Sequence, residues 1–132
     1  ISKRFGPDDS DALSLIEKYI NIQFVSGDHR GFEISKARIV KDMGRALELV
    51  STTKRIEWIK DRWDPNEVIY MGDGIFDSLV FDRVGYSIAP QNADSNLKNK
   101  ANYVTERAGG DRAVAEACLH VLEKFFEPYS RN

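Results

Sequence analysis

The sequence predicts an α/β fold in which a parallel sheet lies between two layers of helices. Three observations carry this. Short apolar runs of strand length alternate with amphipathic runs of helix length along the whole chain. The segment Glu67-Val68-Ile69-Tyr70-Met71 is almost continuously apolar, the pattern of a strand covered on both faces. Gly, Pro, Ser, Asp and Asn mark the junctions, and no repeat, low-complexity tract or linker interrupts the alternation.

Pro7 to Tyr19 reads as a helix, with Asp8, Asp9 and Ser10 as capping residues and Leu13, Leu15, Ile16, Tyr19 and Ile20 as an apolar stripe. Asn21 to Val25 alternates as a strand and stops at Ser26-Gly27. Phe32 to Met43 is an amphipathic helix ended by Gly44, and Ala46 to Val50 is a strand. Ser51-Thr52-Thr53 caps a helix that carries Ile56, Trp58, Ile59 and Trp63 and breaks at Asp64-Pro65-Asn66. The apolar strand Glu67 to Met71 leads into Gly72-Asp73-Gly74 and a helix from Ile75 to about Arg83. Gly85 to Ala89 is a strand stopped by Pro90, Asp94 to Asn99 a short helix, and Asn102 to Thr105 a short strand. Asp111 caps a last helix that runs to Phe126, with Pro128 beyond it.

Composition limits what such a chain does. The 132 residues make one domain, residues 1–132, and 42% apolar with 30% charged residues is the balance of a folded globule. Nineteen basic residues against 21 acidic ones give a net charge of -2, so no bulk charge draws it to nucleic acid. No apolar run approaches the roughly 18 residues of a membrane helix. One cysteine, Cys118, excludes a disulfide within the chain and a multi-thiolate metal site. The expected compartment is the cytoplasm.

In open parallel sheets, function gathers on the loops at the carboxyl ends of strands. Here those loops carry Ser26-Gly27, then Ser51-Thr52-Thr53-Lys54, then Gly72-Asp73-Gly74-Ile75-Phe76-Asp77. A hydroxyl and backbone amides hold an anionic oxygen, and a lysine at a helix start adds a full charge to the amide dipoles there. Asp73 and Asp77, four residues apart across a glycine turn, can hold and orient a hard cation such as Mg²⁺. Phosphate with Mg²⁺ is the simplest ligand set that uses all three loops. Each residue also has a structural alternative: Ser26 as a turn residue, Lys54 as a solvated helix lysine, Asp73 and Asp77 as a loop residue and a cap. Their order at successive strand ends favours the joint reading.

That order resembles the haloacid dehalogenase superfamily. Ser26 is similar to its second motif, Lys54 to its third, and Gly72 to Asp77 to its acidic fourth. Downstream, Gly85 to Ala93, Lys100 to Thr105 and Ala108-Gly109-Gly110-Asp111-Arg112-Ala113-Val114 resemble the end of the small cap-less phosphatases of 3-deoxy-octulosonate 8-phosphate and nonulosonate 9-phosphates. The resemblance covers about Phe5 to Phe125. It implies a three-layer Rossmann-like fold and a Mg²⁺-dependent phosphomonoesterase acting on a small sugar or sugar acid through an aspartyl-phosphate intermediate. Ser26, Lys54 and Asp77 are then the catalytic residues, Ser26, Gly27, Arg30 and Lys54 the substrate contacts, and Asp73 and Asp77 the metal residues. It further implies a homotetramer, with the aromatic tail around Phe125, Phe126 and Tyr129 facing a neighbour.

The first motif, a strand ending in Asp-x-Asp that carries the nucleophile, has no match. Asp9-Ser10-Asp11 follows Gly6-Pro7 instead of an apolar strand and reads as a helix start. The missing strand would lie centrally in the sheet, so residues upstream of Ile1 are expected to supply it. Two further departures bear on the substrate. Asp28 follows the glycine where the sugar-acid phosphatases have arginine, with Arg30 two positions on, and Phe76 stands where many members have asparagine. Two alternatives remain. One is a non-catalytic oligomerisation or regulatory domain of the same fold. The other is a response-regulator-like receiver, which the Gly72-to-Asp77 motif and the Gly109-Gly110 loop disfavour. His29 and His120 form no spaced metal motif; His29 reads as a surface residue and His120 as a packed or solvated one.

Overall fold

The computed structural model describes residues 8–27 and 47–126. The predicted helix Phe32 to Met43, together with His29 and Arg30, lies outside the described residues. Within them five strands alternate with helices: α1 (Asp9–Ile16), β1 (Phe24–Ser26), β2 (Leu47–Leu49), α2 (Arg55–Lys60), β3 (Ile69–Met71), α3 (Ser78–Phe81), β4 (Tyr86–Ala89), α4 (Ser95–Lys100), β5 (Tyr103–Val104) and α5 (Ala113–Phe125). Short 3-10 turns at Thr52–Lys54, Pro65–Glu67 and Ile75–Asp77 precede α2, β3 and α3. No helix among the described residues is long and apolar enough to cross a membrane.

Every strand pairing is parallel. β1 pairs with β2, Phe24 opposite Leu47 and Ser26 opposite Leu49. β3 pairs with β4, Tyr70 opposite Ser87, and β4 with β5, Ile88 opposite Tyr103. These make two sheets, β1-β2 and β3-β4-β5, and among the described residues no ladder joins them.

The period of two along β3 and β4 sorts their side chains to two cores. Tyr70 and Ala89 point to one face, where they pack with Ile59 of α2, Val80 and Phe81 of α3, and Ala93 and Leu97. Ile69, Met71 and Ile88 point to the other, against Ile16 of α1 and Ala117, Val121 and Leu122 of α5. Helices therefore cover both faces, as the continuous apolar pattern of β3 requires. Val80 and Leu97 are fully buried, and removing each from water contributes about 1.5–3 kcal/mol.

The ends of elements depart from local expectation where distant partners decide them. The α5 helix starts at Ala113 after Arg112, which takes a left-handed φ of 65°, and Asp111 makes no cap there. The cap comes from α1: Asp9, 1% exposed, accepts from the Ala115 backbone N–H at 2.9 Å. Asp8, which the sequence read as a cap of its own helix, instead pairs with Arg112 at 2.9 Å. The α2 helix ends at Lys60, before Trp63, and Trp63 folds back edge-on to Trp58 with ring centroids 5.4 Å apart. Glu67, predicted in the strand, belongs to a 3-10 turn that Asp64 caps by accepting from the Asn66 N–H. At the other end of the chain, Phe126 stacks on Tyr19 and Phe125 meets Tyr86 edge-on.

Candidate functional site

The carboxyl ends of β1, β2 and β3 converge on one buried residue, Arg55, the first residue of α2 and 3% exposed. Its guanidinium donates to the Val50 carbonyl just past β2. It also donates to the Tyr70 hydroxyl on β3 at 2.8 Å and to Asp77 Oδ1 at 3.4 Å. On the β1 side, a Cβ placed on Gly27 would stand 3.1 Å from Arg55 Nη2 and 3.4 Å from Thr52 Oγ1, so any larger residue there would crowd the guanidinium. Arg55 thus bridges the two sheets that no ladder connects.

Asp77 organises the loop after β3. It is 6% exposed, and four donors meet its carboxylate. Tyr70 Oη donates to Oδ1 at 2.6 Å alongside Arg55, while the backbone N–H groups of Asp73 and Gly74 donate to Oδ2 at 3.1 and 2.9 Å. A carboxylate folded back on its own loop explains why the segment Ile75–Asp77 opens as a 3-10 turn and not as the first turn of one longer helix. It also explains Gly72: a Cβ there would lie 2.5 Å from Asp77 Cγ. Burial pushes the Tyr70 phenol well above its ordinary range; Asp77 adds to the shift and Arg55 opposes it. Tyr70 therefore stays a hydrogen-bond donor at any physiological pH.

The remaining candidates surround this core. Ser26 closes β1 and is 2% exposed, and Gly27 beyond it reaches the surface. Lys54 ends the turn Thr52–Lys54, which packs against the turn Ile75–Asp77; its side chain is exposed and makes no ion pair among the described residues. Asp77 pairs with Arg55, the residue after Lys54. Asp73 is exposed, and among the described residues its carboxylate has no hydrogen-bond or ion-pair partner. Arg30 lies outside the described residues.

Two features fit an oxyanion and a hard cation. Arg55 Nε is buried with no acceptor, a donor left over for an oxygen that the described residues do not provide. Asp73 offers a carboxylate at a strand end, and Mg²⁺ is commonly held by one or two carboxylates with waters and substrate phosphate completing its octahedron. No group of three His, Cys, Asp or Glu side chains able to enclose a metal occurs among the described residues, so Asp73 would be one ligand of a shared site. Asp77, with both oxygens engaged, acts on the loop that presents Asp73.

Reading the sequence missed Arg55 and Tyr70. The signals for them were a tyrosine inside an otherwise aliphatic buried strand, whose hydroxyl needs a partner, and a second cation directly after Lys54.

A haloacid dehalogenase-like hydrolase family model matches residues 13–117. The 3-deoxy-D-manno-octulosonate 8-phosphate phosphatase KdsC of Escherichia coli (strain K12) is 34% identical over 94 residues, covering 63% of this chain and 49% of that protein. The chain thus spans about half the length of the curated relatives it matches. The solved 3-deoxy-D-manno-octulosonate 8-phosphate phosphatase of Yersinia pestis superposes with a TM-score of 0.72 at 28% identity, covering 90% of this chain and 66% of its own. The Moraxella catarrhalis enzyme of the same name, solved with magnesium, phosphate and KDO, gives 0.75 at 21% identity and covers 91% and 71%. With the alternating parallel architecture, the ordered strand ends and a family match over most of its length, the chain belongs to the haloacid dehalogenase-like hydrolase family.

Proposed function

We propose that this chain is the core of a phosphatase that hydrolyses the phosphomonoester of a small sugar or sugar acid with Mg²⁺. The observation that carries it is the Arg55–Tyr70–Asp77 cluster, which through Asp77 holds the backbone of the exposed Asp73 and through Arg55 lies against Gly27 and directly follows Lys54. The similarity to 3-deoxy-D-manno-octulosonate 8-phosphate phosphatases supports the substrate class.

Each residue then has a task. Gly27 with its amide, the Ser26 hydroxyl and the Lys54 ammonium bind phosphoryl oxygens, and the charge on Lys54 offsets the negative charge that gathers there in the transition state. Arg30, outside the described residues, is kept as a further substrate contact by resemblance. Asp73 holds the cation, and Asp77 fixes the turn that presents Asp73. Mg²⁺ would supply charge neutralisation at the phosphoryl group. In-line attack requires a nucleophilic aspartate, and no strand end among the described residues carries an Asp-x-Asp pair. Asp9-Ser10-Asp11 does not serve, since Asp9 is buried as the cap of α5. The setting is a homo-oligomer, a tetramer by family resemblance, in the cytoplasm.

The rival, a non-catalytic oligomerisation or regulatory domain, gains from one observation: none of the described residues supplies a nucleophile. Assay of the full-length gene product on a panel of phosphorylated sugars and sugar acids with Mg²⁺ separates the two. Turnover that Asp73→Ala abolishes is expected. No turnover, with Mg²⁺ binding unchanged in Asp73→Ala, would leave the non-catalytic domain.

A further inference from the structure

We infer that Arg55 and Tyr70 are positioning residues for the cation site: neither touches the metal, yet together they set how tightly Asp73 holds it. This deepens the function proposed above and rests on it.

The chain of contacts is short, and its Arg55–Tyr70–Asp77 part is buried. Asp73 sits on a loop whose Asp73 and Gly74 N–H groups are both held by one carboxylate oxygen, Asp77 Oδ2, at 3.1 and 2.9 Å, while the Asp94 N–H donates to the Asp73 carbonyl at 3.2 Å. Left alone, that carboxylate could rotate about its side-chain bonds and release those two amides. Its other oxygen is held from the opposite side by Tyr70 Oη at 2.6 Å and Arg55 Nη1 at 3.4 Å. Tyr70 and Arg55 are in turn bonded to each other at 2.8 Å, so the three side chains form a closed triangle. Tyr70 is anchored in β3 with its ring edge-on to Phe81, 6.0 Å between centroids, and Arg55 is anchored to the Val50 carbonyl after β2. The aim of Asp73 is thus referred to two rigid strands that belong to different sheets.

The triangle has a second consequence. Arg55 lies against Gly27 on the side where the phosphoryl oxygens are assigned, and against Asp77 on the side where the cation is assigned. One side chain therefore spans both halves of the site. Groups that orient a metal ligand without touching the metal typically change affinity by about 10–100-fold when removed, which is the size of effect assigned to this triangle.

The test uses the full-length enzyme with Mg²⁺ as the probe, followed by calorimetric binding and by the Mg²⁺ dependence of turnover. Tyr70→Phe deletes one oxygen and keeps the ring. It is expected to weaken Mg²⁺ binding by about 10-fold or more, with the apparent Mg²⁺ constant moving further than kcat. Arg55→Met is expected to weaken it at least as far, and Arg55→Lys to recover part of the loss, because an ammonium can still reach Asp77 but lacks the planar fork. Circular dichroism checks that each variant is folded, and Asp73→Asn gives the limit of lost binding. If Tyr70→Phe and both Arg55 variants bind Mg²⁺ as the wild type does while Asp73→Asn does not, the positioning role is overturned and the phosphatase reading stands. If the wild type binds no Mg²⁺ at all, both fall together.

Discussion

Replacing Asp77 by asparagine probes the centre of the site, because the change conserves volume and alters only charge and hydrogen bonding. The carboxylate accepts from Asp73 N–H, Gly74 N–H, Tyr70 Oη and Arg55 Nη1. An asparagine has one acceptor oxygen and one NH₂ donor. Its best fit turns the oxygen to the two loop amides. The NH₂ then faces Tyr70, whose hydroxyl can rotate to accept, and Arg55, which can only donate. The guanidinium loses its counter-charge while 3% exposed, and stranding one partner of a buried pair costs about 3–5 kcal/mol. Arg55 keeps the Val50 carbonyl and the Tyr70 oxygen, which places the expected loss near the lower end, about 3 kcal/mol. That is a large part of the roughly 5–15 kcal/mol that holds a domain together. Urea unfolding of the full-length protein measures it, and a double-mutant cycle assigns it. With Arg55→Met already present there is no charge to strand, so Asp77→Asn should cost less, by a coupling of about 1 kcal/mol or more. Losses that add to within about 0.5 kcal/mol would show that the two side chains do not depend on each other, and the Arg55–Asp77 pair would then not be what organises the site.

Two further predictions concern the supporting structure. Asp9→Ala removes the acceptor from the buried Ala115 N–H and should cost about 1–3 kcal/mol in denaturant unfolding. Asp9→Asn, which keeps an acceptor, should cost less and leave the turnover of the full-length enzyme unchanged, whereas a nucleophile at Asp9 would lose activity. His120 stacks on Tyr103 at 3.6 Å and bonds Tyr86 Oη at 2.6 Å, and burial, with Lys124 adding to it, lowers its affinity for a proton. Glu123 and Glu116 oppose that shift without reversing it. The unfolded chain then binds the proton more readily than the folded one. Stability should therefore fall as the pH drops through the ordinary histidine range near about 6.5 and below. Thermal melts from pH 8 to 5 should show a smaller fall for His120→Gln; parallel curves would count against the assignment.

Much of the fold was legible because parallel sheets write themselves locally. A strand covered on both faces is apolar at every position, and Val68 to Met71 shows that without knowledge of its neighbours. The order of strand ends was legible for the same reason, and with it the places of Ser26, Lys54 and Asp73 at or just after the ends of β1, β2 and β3. The ends of elements were not. The expected strand Asn21 to Val25 became Phe24–Ser26, since its limits are set by pairing with β2, Phe24 opposite Leu47, and nothing in residues 21–26 encodes that partner. The α5 helix has an aspartate at the expected place, Asp111, yet the Ala115 N–H takes its cap from Asp9, 106 positions away.

The site divides along the same line. Residues that meet solvent at strand ends announce their chemistry by type, whereas residues that hold them announce nothing until the fold brings them together. Arg55, directly after Lys54, carried no reading of its own, and Tyr70 read as one more apolar strand residue. Only the period of two in β3, which turns Tyr70 away from Ile69 and Met71 and toward α2, makes its hydroxyl a neighbour of Arg55. Once both are buried, neither can be left unpaired at acceptable cost. Asp77 accepts from both, and in doing so it is committed to the loop of Asp73. The aim of the exposed Asp73 carboxylate thus follows from the requirement to neutralise a buried guanidinium, and if Asp73 holds the cation as proposed, changes at Arg55 should be felt at a cation it never contacts.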